Sequence, residues 1–271
     1  MQLLSWLCKR MTGQPQSTRA PAGRPSPRFR PRLEALEARD VPSTLTVKTY
    51  LDDGSAYSLR SEIANANPGD TIVFDSTTVT QTIELYQGEL VIKKSLTIQG
   101  NGHIGIQGVG TRVFEVDVAT TIFNLSGVGI FGGNGYASSE GAPYPYDTLG
   151  GAILNFGTTT LDGCSLFNNS AVQGGAIYNF GTMTVSGSSV VVNSASAGGG
   201  IYNAGTLTLS GSGVDSNSAN DGGGGICNRG TLAIYNSDVL NNTAPREFGA
   251  DIYNIGTLTK DHSSRIGHVA P

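Results

Sequence analysis

A repeat of about 24 residues is the feature that most restricts how this chain can fold. Its anchor is a triplet of Ile, a variable residue and Asn, with successive Asn residues 24, 24, 25 and 26 positions apart. Gly and Thr follow two and three positions after each Asn, and the first four triplets come after a Gly pair. The triplet Asn residues are Asn155, Asn179, Asn203, Asn228 and Asn254. Self-similarity at this period indicates a repeat architecture, in which each unit completes the core of its neighbours.

The residues inside each unit indicate strands and not helices. Thr182, Met183, Thr184 and Val185 alternate between polar and apolar with a period of two, which is the pattern of a strand with one buried face. Three short strands with Gly-rich corners make one coil, and successive coils stack at a spacing of about 4.8 Å. We therefore predict an all-β fold, a single-stranded right-handed parallel β-helix, with five regular repeats over residues 150–259.

The same period assigns a direction to the Asn residues. Ile177 and Asn179 lie on one side of their strand, and the Ile must face the core. A buried amide is costly unless it is hydrogen-bonded, but in-register amides can each donate to the next and accept from the previous one. We predict that the five triplet Asn residues form an internal column with a structural role and no catalytic one.

Two short motifs allow a resemblance to be stated. The sequence GGAI at 174–177 and the x-x-x-N pattern at 190–193 are similar to the repeats of polymorphic outer membrane proteins. More widely, the units resemble right-handed parallel β-helix repeats of bacterial surface proteins, over residues 150 to about 259. One departure is that the residue three before the second Asn is aliphatic here, where that family usually has Phe. The resemblance implies a β-helix at a bacterial surface.

Residues 44–149 are predicted to begin the same solenoid. The segment SLRSEIANAN at 58–67 is similar to the opening segment of such proteins, and Leu59 and Ile63 share one helix face. A short helix here would cover the open end of the first coil, which otherwise exposes unpaired backbone. Tyr144 and Tyr146 lie in an insertion at 136–149. Strand-like runs follow the helix at 71–74, 82–85, 90–92, 96–98, 112–116 and 121–125.

Residues 1–43 differ in charge from the rest of the chain. They carry eight basic and three acidic residues, a net charge of +5, whereas residues 44–271 carry nine basic and eighteen acidic residues, a net charge of −9. The sequence LEALEARDVPS at 33–43 resembles the leaders of large bacterial secreted and surface repeat proteins. We expect residues 1–43 to be removed or disordered. The protein is then exported, to the cell envelope, the outer membrane surface or the extracellular space. Residues 260–271 are expected to form a polar tail.

Charged and reactive residues give little support for catalysis. No Lys or Arg occurs between Arg112 and Arg229, so that stretch cannot neutralise a uronate polymer as a lyase must. Asp162 and Asp215 fall on different strands, which does not suit the carboxylate pair of a glycosidase. Cys164 and Cys227 fall in different columns, so no disulfide is expected. One mixed charge cluster is expected to be a solvated edge: Asp221, Arg229, Arg246, Glu247, Asp251 and His262.

Two outer columns are candidate ligand faces. Tyr178, Tyr202 and Tyr253 should point outward beside the Asn column and, with Tyr144 and Tyr146, could stack on sugar rings. The alternative is that they stabilise neighbouring strands. A double row of outward Thr resembles the ice-binding face of β-solenoid antifreeze proteins, interrupted by Ala233. The rows are Thr158 and Thr160, Thr182 and Thr184, Thr206 and Thr208, Thr231, and Thr257 and Thr259.

Together these observations predict a non-catalytic exported β-helix with an adhesion or scaffolding role. Its partner would be a neutral glycan or another surface protein. We expect no nucleic-acid partner, no cofactor and no metal, because no Cys/His spacing fits a zinc site, and no transmembrane segment, because no run approaches about 20 apolar residues. The alternative is a polysaccharide lyase or glycoside hydrolase, and a more remote one is ice binding.

Overall fold

The protein folds as a parallel β-helix, as the repeat predicts. A computed structural model describes residues 41–135 and 148–271. Their strands form parallel sheets of 15, 8 and 3 strands that run along the coils. The described part contains one short α-helix and one short 3-10 helix. The all-β fold class is therefore confirmed.

The strands are short and recur in the same order from coil to coil. The elements before the regular repeats are β1 (Thr44–Val47), α1 (Leu59–Asn65), β2 (Thr71–Phe74), β3 (Ile83–Leu85), β4 (Leu90–Ile92), β5 (Leu96–Gly108), β6 (Phe114–Val116) and β7 (Ile122–Phe131). The first three regular coils contain β8 (Ile153–Asn155), β9 (Thr158–Asp162), β10 (Ser165–Phe167), β11 (Ser170–Gln173), β12 (Ile177–Asn179), β13 (Thr182–Ser186), β14 (Ser189–Val191), β15 (Ser194–Ala197), β16 (Ile201–Asn203), β17 (Thr206–Ser210), β18 (Gly213–Asp215) and β19 (Ser218–Gly222). The last two contain β20 (Ile226–Asn228), β21 (Thr231–Tyr235), β22 (Asp238–Leu240), β23 (Ile252–Asn254), β24 (Thr257–Lys260), β25 (Arg265–Ile266) and β26 (Val269–Ala270), with the 3-10 helix at Arg246–Phe248.

The first three regular coils have four strands each, where the sequence predicted three. The additional corner lies between β9 and β10, at Gly163 with φ 58°, and recurs between β17 and β18 at Gly211 with φ 58°. In the fourth coil Asn236 takes this left-handed conformation with φ 45°, as Asn does more readily than most residues. The corner shifts the inward positions by one residue, from Leu161 to Cys164. The sequence pattern hides this shift because the buried residue after the corner is a polar Ser in the next coils, at Ser188 and Ser212.

Helix α1 covers the N-terminal end of the β-helix. It begins after Ser58, whose hydroxyl oxygen accepts a hydrogen bond from the Ser61 N–H at 3.2 Å, which is the usual role of an N-cap serine. Leu59 and Ile63 are buried and belong to the main hydrophobic core. The helix contacts β1, the first strand of the solenoid. The predicted helical cap is therefore confirmed.

The core consists of aliphatic columns stacked through the coils. In β13, Met183 and Val185 are fully buried while Thr182 is exposed. Val185 lies opposite Leu161 in the coil before and Leu209 in the coil after. Each such side chain contributes about 1.5–3 kcal/mol through burial, but only when the adjacent coils are folded. The stability of one coil therefore depends on its neighbours.

The glycines after each triplet let neighbouring coils approach closely, and those before it form a tight left-handed turn within the coil. A Cβ on Gly181 would lie 2.0 Å from the carbonyl oxygen of Gly157. Gly174 has φ 66°, and a Cβ there would lie 2.0 Å from the carbonyl oxygen of Ile177. These contacts require glycine, which explains why Gly recurs at these positions of the repeat.

Residues 260–271 were expected to be a polar tail, but they complete a further coil. Strand β25 pairs with β22, and β26 pairs with β23. Ile266 lies opposite Val239 and packs against the main core, and Ala270 is buried opposite Tyr253. The two strands are short, which is why hydrophobic alternation did not reveal them. No helix within the described ranges is both long and apolar enough to cross a membrane.

Candidate functional site

The five triplet Asn residues form one column inside the coils. Asn155, Asn179 and Asn203 each donate a side-chain N–H to Oδ1 of the Asn in the next coil at 2.8 Å, and Asn228 donates to Asn254 at 2.7 Å. The first four are fully buried, and Asn254 is half-buried in its strand. The column links successive coils, and its amides are engaged with each other.

Thr159 begins this column. Its side chain is buried, and its hydroxyl donates to Asn155 Oδ1 at 2.8 Å. The next coils have Met183 and Leu207 at the same position. Residue Val116 lies opposite Asn155 in the preceding coil and has no side-chain N–H to donate. The Thr159 hydroxyl therefore supplies the hydrogen bond that an earlier Asn would have made.

A second amide column ends on a carboxylate. Asn169, Asn193 and Asn217 donate to the next Asn at 3.0, 2.9 and 2.9 Å, and Asn242 Nδ2 donates to Asp251 Oδ1 at 3.0 Å. Asp251 is only 5% exposed. The expectation that it belongs to a solvated charged edge is wrong, because its carboxylate accepts the last amide of this buried column.

A third column consists of serine hydroxyls. Ser188, Ser212, Ser237 and Ser264 each accept a backbone N–H from the preceding coil at 2.9–3.2 Å. The column also ends on a carboxylate, because the Ser264 hydroxyl donates to Asp261 Oδ1 at 2.5 Å. That hydrogen bond is the main reason the pKa of Asp261 is held well below its usual value. We call the two Asn columns and this Ser column the polar ladders.

The Tyr side chains of the candidate ligand face point away from the main core, as predicted, but the rings of Tyr178 and Tyr202 are not exposed to solvent. Tyr178, Tyr202 and Tyr253 lie in a second hydrophobic cluster, separate from the main core. The rings of Tyr178 and Tyr202 stack at 4.7 Å and 12°, and Phe180 packs on Tyr178 at 4.5 Å. Only 6% and 5% of Tyr178 and Tyr202 are exposed, and burial raises the pKa of the Tyr202 phenol. Each ring covers its neighbour, so a sugar cannot reach these two faces. Tyr253 is half-buried.

Tyr144 and Tyr146, which the sequence analysis also assigned to the candidate Tyr ligand face, lie outside the described residues.

The outer Thr residues lie in register along the 15-stranded sheet. One row is continuous through five coils, and the second has Ala233 between Thr208 and Thr259. The continuous row consists of Thr158, Thr182, Thr206, Thr231 and Thr257.

The carboxylates considered from the sequence are not brought together. Asp162 ends β9 and Asp215 ends β18, and these strands lie in different rows of the 15-stranded sheet. Asp215 accepts hydrogen bonds from the Ser216 hydroxyl at 2.5 Å and from Asn241 Nδ2 at 2.8 Å. Within the described ranges no group of three or more His, Cys, Asp and Glu could hold a metal ion. Cys164 and Cys227 are both free and buried, and burial raises the pKa of each thiol.

A charged cluster that the sequence analysis missed lies in the irregular coils. Arg112 is 5% exposed and donates to Glu89 at 2.5 Å, to Glu115 at 3.0 Å and to the carbonyl oxygen of Leu149 at 2.6 Å. Burial, and next the negative charge of Glu89, raises the pKa of Glu115 to about 7. The two carboxyl groups therefore compete for Arg112, and one of them binds a proton near neutral pH.

A cleft lies at the N-terminal end of the solenoid, in the same irregular coils. Residues 50–53 form one wall and residues 81–87 the other, enclosing about 580 Å³. The carboxylate of Asp52 joins the walls by accepting the N–H groups of Tyr86 at 2.9 Å and Gln87 at 3.0 Å. Arg60 from α1 pairs with Asp52 at 2.7 Å and donates to the carbonyl oxygens of Gly88 and Glu89. We call this site the N-terminal cleft.

Aromatic rings, amides and carboxylates line the N-terminal cleft. Tyr86 is 68% exposed, and its phenol donates to the carboxylate of Glu84. This hydrogen bond raises the pKa of the Tyr86 phenol. The hydroxyl and N–H of Ser55 lower the pKa of Asp53, so Asp53 is ionised at neutral pH. The lining residues include no Lys or Arg. The cleft is thus negative, rich in hydrogen-bonding groups and provided with an aromatic platform.

Sequence reasoning missed this cleft for a physical reason. Its two walls are about 30 residues apart in the chain and belong to coils that do not follow the repeat. The available signal was the occurrence of Tyr50 and Tyr86 beside acidic and amide residues, with Tyr86 directly after the predicted strand at 82–85. These residues can be recognised as one site only when the register of β1, β2 and β3 is known, because that register brings the two walls together.

Comparisons with known proteins give one fold-level likeness. No protein-family model and no curated protein matches the chain. Among solved structures, the crystal structure of pectate lyase Pel9A is similar, with a TM-score of 0.40 and 16% sequence identity. The match covers 74% of this chain and 55% of the lyase. The chain therefore matches about half the length of that structure.

Proposed function

We propose that the chain is an exported, non-catalytic β-helix of the cell surface or extracellular space, with an adhesion or scaffolding role. The polar ladders carry this proposal, because they link the coils into a stiff rod. One sheet runs through eight strands, which at about 4.8 Å per strand corresponds to a rod about 34 Å long. A rod of this kind holds the groups on its faces and ends at fixed positions, as adhesion and scaffolding require.

Two sequence features support export. The basic segment 1–43 ends in a motif that resembles the leaders of bacterial surface proteins, and the repeats resemble those of polymorphic outer membrane proteins. The buried thiols of Cys164 and Cys227 are shielded from oxidants. In the part of the chain that the structure describes, the ladders and the aliphatic columns hold the coils together without a disulfide. These properties suit a protein that works outside the cell.

Fractionation of the native host tests the proposal. We expect the mature protein on the cell surface or in the medium, with an N-terminus near Ser43. The purified protein should release no reducing ends or unsaturated products from a panel of neutral and acidic polysaccharides. Full-length chain found only in the cytoplasm would contradict export, and measurable turnover of any polysaccharide would contradict the non-catalytic role.

A carbohydrate-active enzyme is the second candidate, and one observation favours it. The pKa of Glu115 is raised to about 7, which is the range that suits a general acid at neutral pH. The charges of Glu89 and Arg112 would then set the pKa of the Glu115 carboxyl group. Glu115→Gln and Glu89→Gln should each abolish turnover if this candidate is correct, while a stable protein without turnover on the same panel would exclude the cluster as a catalytic centre for those substrates.

A further inference from the structure

We propose that the N-terminal cleft binds a neutral saccharide, with Tyr86 as the platform for a sugar ring and Glu84, Gln81 and Gln87 as hydrogen-bonding groups. This inference rests on the proposed adhesion function and names its ligand class. It places the binding site at one end of the rod, away from the Tyr178 and Tyr202 column that the sequence suggested.

The first argument is the size and shape of the cleft. Its volume of about 580 Å³ lies within the range of pockets that hold small organic ligands, roughly 300–1,000 Å³. It is open to solvent along residues that are themselves exposed, including Leu51 at 47% and Tyr86 at 68%. An extended chain of sugars could therefore enter from the side and leave part of its length in solvent.

The second argument is that the platform is held in place before a ligand arrives. The Tyr86 backbone N–H is bound by Asp52, and its phenol by Glu84. Asp52 is in turn fixed by the Arg60 guanidinium at 2.7 and 3.0 Å. A ring that is largely exposed yet fixed at both ends loses little conformational freedom on binding, which favours affinity. Tyr235, by contrast, is 47% exposed on β21 and is not among the residues that line the cleft.

The third argument is the charge of the lining. The carboxylates of Glu84 and Asp53 accept hydrogen bonds, and the amides of Gln81 and Gln87 both accept and donate. Sugar hydroxyls offer donors and acceptors side by side, so they match this mixture. No Lys or Arg is among the lining residues, and Arg60 beside them is paired with Asp52, so the carboxylates of Asp53 and Glu84 would repel a uronate or sulfated sugar. The lining therefore selects neutral sugars over anionic ones.

The test uses the full chain and immobilised oligosaccharides of glucose, mannose, galactose and N-acetylglucosamine, with oligogalacturonate as the anionic comparator. Calorimetric titration then measures the dissociation constant of any hit. We expect Tyr86→Ala to weaken binding at least tenfold and Glu84→Gln severalfold. Tyr235→Ala, a matched change of an exposed Tyr, should leave the constant unchanged. Denaturation curves of all three variants verify that they are folded.

Each outcome has a distinct meaning. Binding of a neutral oligosaccharide that is lost in Tyr86→Ala, retained in Tyr235→Ala and insensitive to 0.5 M NaCl supports the inference. Binding unaffected by both cleft substitutions places the ligand elsewhere and overturns it. No binding to any neutral member of the panel, or preference for oligogalacturonate, overturns the ligand class while leaving the rod and its export intact. Turnover of a bound sugar would instead contradict the non-catalytic function.

Discussion

Substitution of Asn203 by Leu tests the physical basis of the rod. Asn203 lies in the middle of the first ladder and makes four side-chain hydrogen bonds. Its Oδ1 accepts from Asn179 at 2.8 Å, and its Nδ2 donates to Asn228 at 2.8 Å and to the carbonyl oxygens of Gly205 at 3.2 Å and Thr231 at 3.0 Å. Leu has a similar shape but no hydrogen-bonding group, so packing changes little and the loss is mainly polar.

The magnitude follows from what the neighbours retain. Asn179 Nδ2 still donates to Gly181 at 3.2 Å and to Thr206 at 3.0 Å, so it is only partly unsatisfied. Asn228 Oδ1 loses the amide that donates to it, inside a fully buried column. One buried polar atom left without a partner costs about 1–3 kcal/mol. With the weakened bonds to the two carbonyl oxygens, we expect a loss of about 2–4 kcal/mol in the free energy of unfolding.

Urea denaturation measures this loss directly. With a slope of about 2 kcal/mol per molar urea, the midpoint of Asn203→Leu should fall by about 1–2 M. Thr206→Ala, at an exposed position three residues past the triplet's end, should shift the midpoint by less than about 0.3 M, since surface changes stay within about 0.5 kcal/mol. Asn254→Leu, at the half-buried end of the ladder, should lie between the two. Equal midpoints for Asn203→Leu and Thr206→Ala would refute the argument that the ladder stabilises the coils.

Four further predictions concern the ends of two ladders, one left-handed corner and the carboxyl group of Glu115. Thr159→Val removes the hydroxyl that begins the first ladder and should lower the urea midpoint by the equivalent of about 1–2 kcal/mol, whereas Thr158→Val in the same strand should not. Val192→Asn should raise the free energy of unfolding by about 1 kcal/mol, because Val192 has φ 57° and a β-branched residue is strained there. Asp251→Asn should lower the free energy of unfolding by about 1–3 kcal/mol, because Oδ1 accepts two hydrogen bonds from Asn242 and Oδ2 accepts one from the His268 N–H, and an amide can replace only one of these two oxygens as an acceptor. The midpoint should fall as pH rises from 5 to 8, because the folded state holds a proton on Glu115 up to about pH 7 and the unfolded state does not; Glu115→Gln should reduce this slope.

The regular half of the fold could be predicted because its determinants are local and repeated. The Ile and Asn of each triplet, the Gly that follows and the alternation of the next strand fix direction, register and corner in every coil. The Asn column followed from this register alone, since Asn179 and Ile177 must share a side. The additional corner at Gly163 could not be predicted, because the inward positions shift by one residue there, from Leu161 to Cys164, and the buried residue after the corner is a polar Ser in later coils, at Ser188 and Ser212.

The candidate site was harder to predict because it lies where the repeat is broken. Exposure of the Tyr column depends on how close neighbouring rings lie, and a ring-to-ring distance of 4.7 Å between Tyr178 and Tyr202 closes faces that a single strand would leave open. The N-terminal cleft depends on Asp52 meeting the backbone of Tyr86, a contact across 34 residues. Neither fact is contained in the residues of one segment.

The polarity of the ladders explains which residues stand at their ends. In both Asn ladders each side-chain N–H points toward the C-terminal end, so the amide dipoles add and their positive end faces the last coil. An anion at that end is favourable for the same reason that anions favour helix N-termini. Asp251 meets this requirement for the second ladder, since a carboxylate only accepts hydrogen bonds and Gly267 leaves it room: a Cβ there would lie 2.1 Å from Asp251 Oδ2. At its N-terminal end the first ladder begins with the acceptor Oδ1 of Asn155, which needs a hydrogen-bond donor, and the Thr159 hydroxyl supplies it. The two departures from the repeat, Thr in place of an aliphatic residue and Asp in place of Gly or Ala before Ile, thus mark where the ladders start and stop.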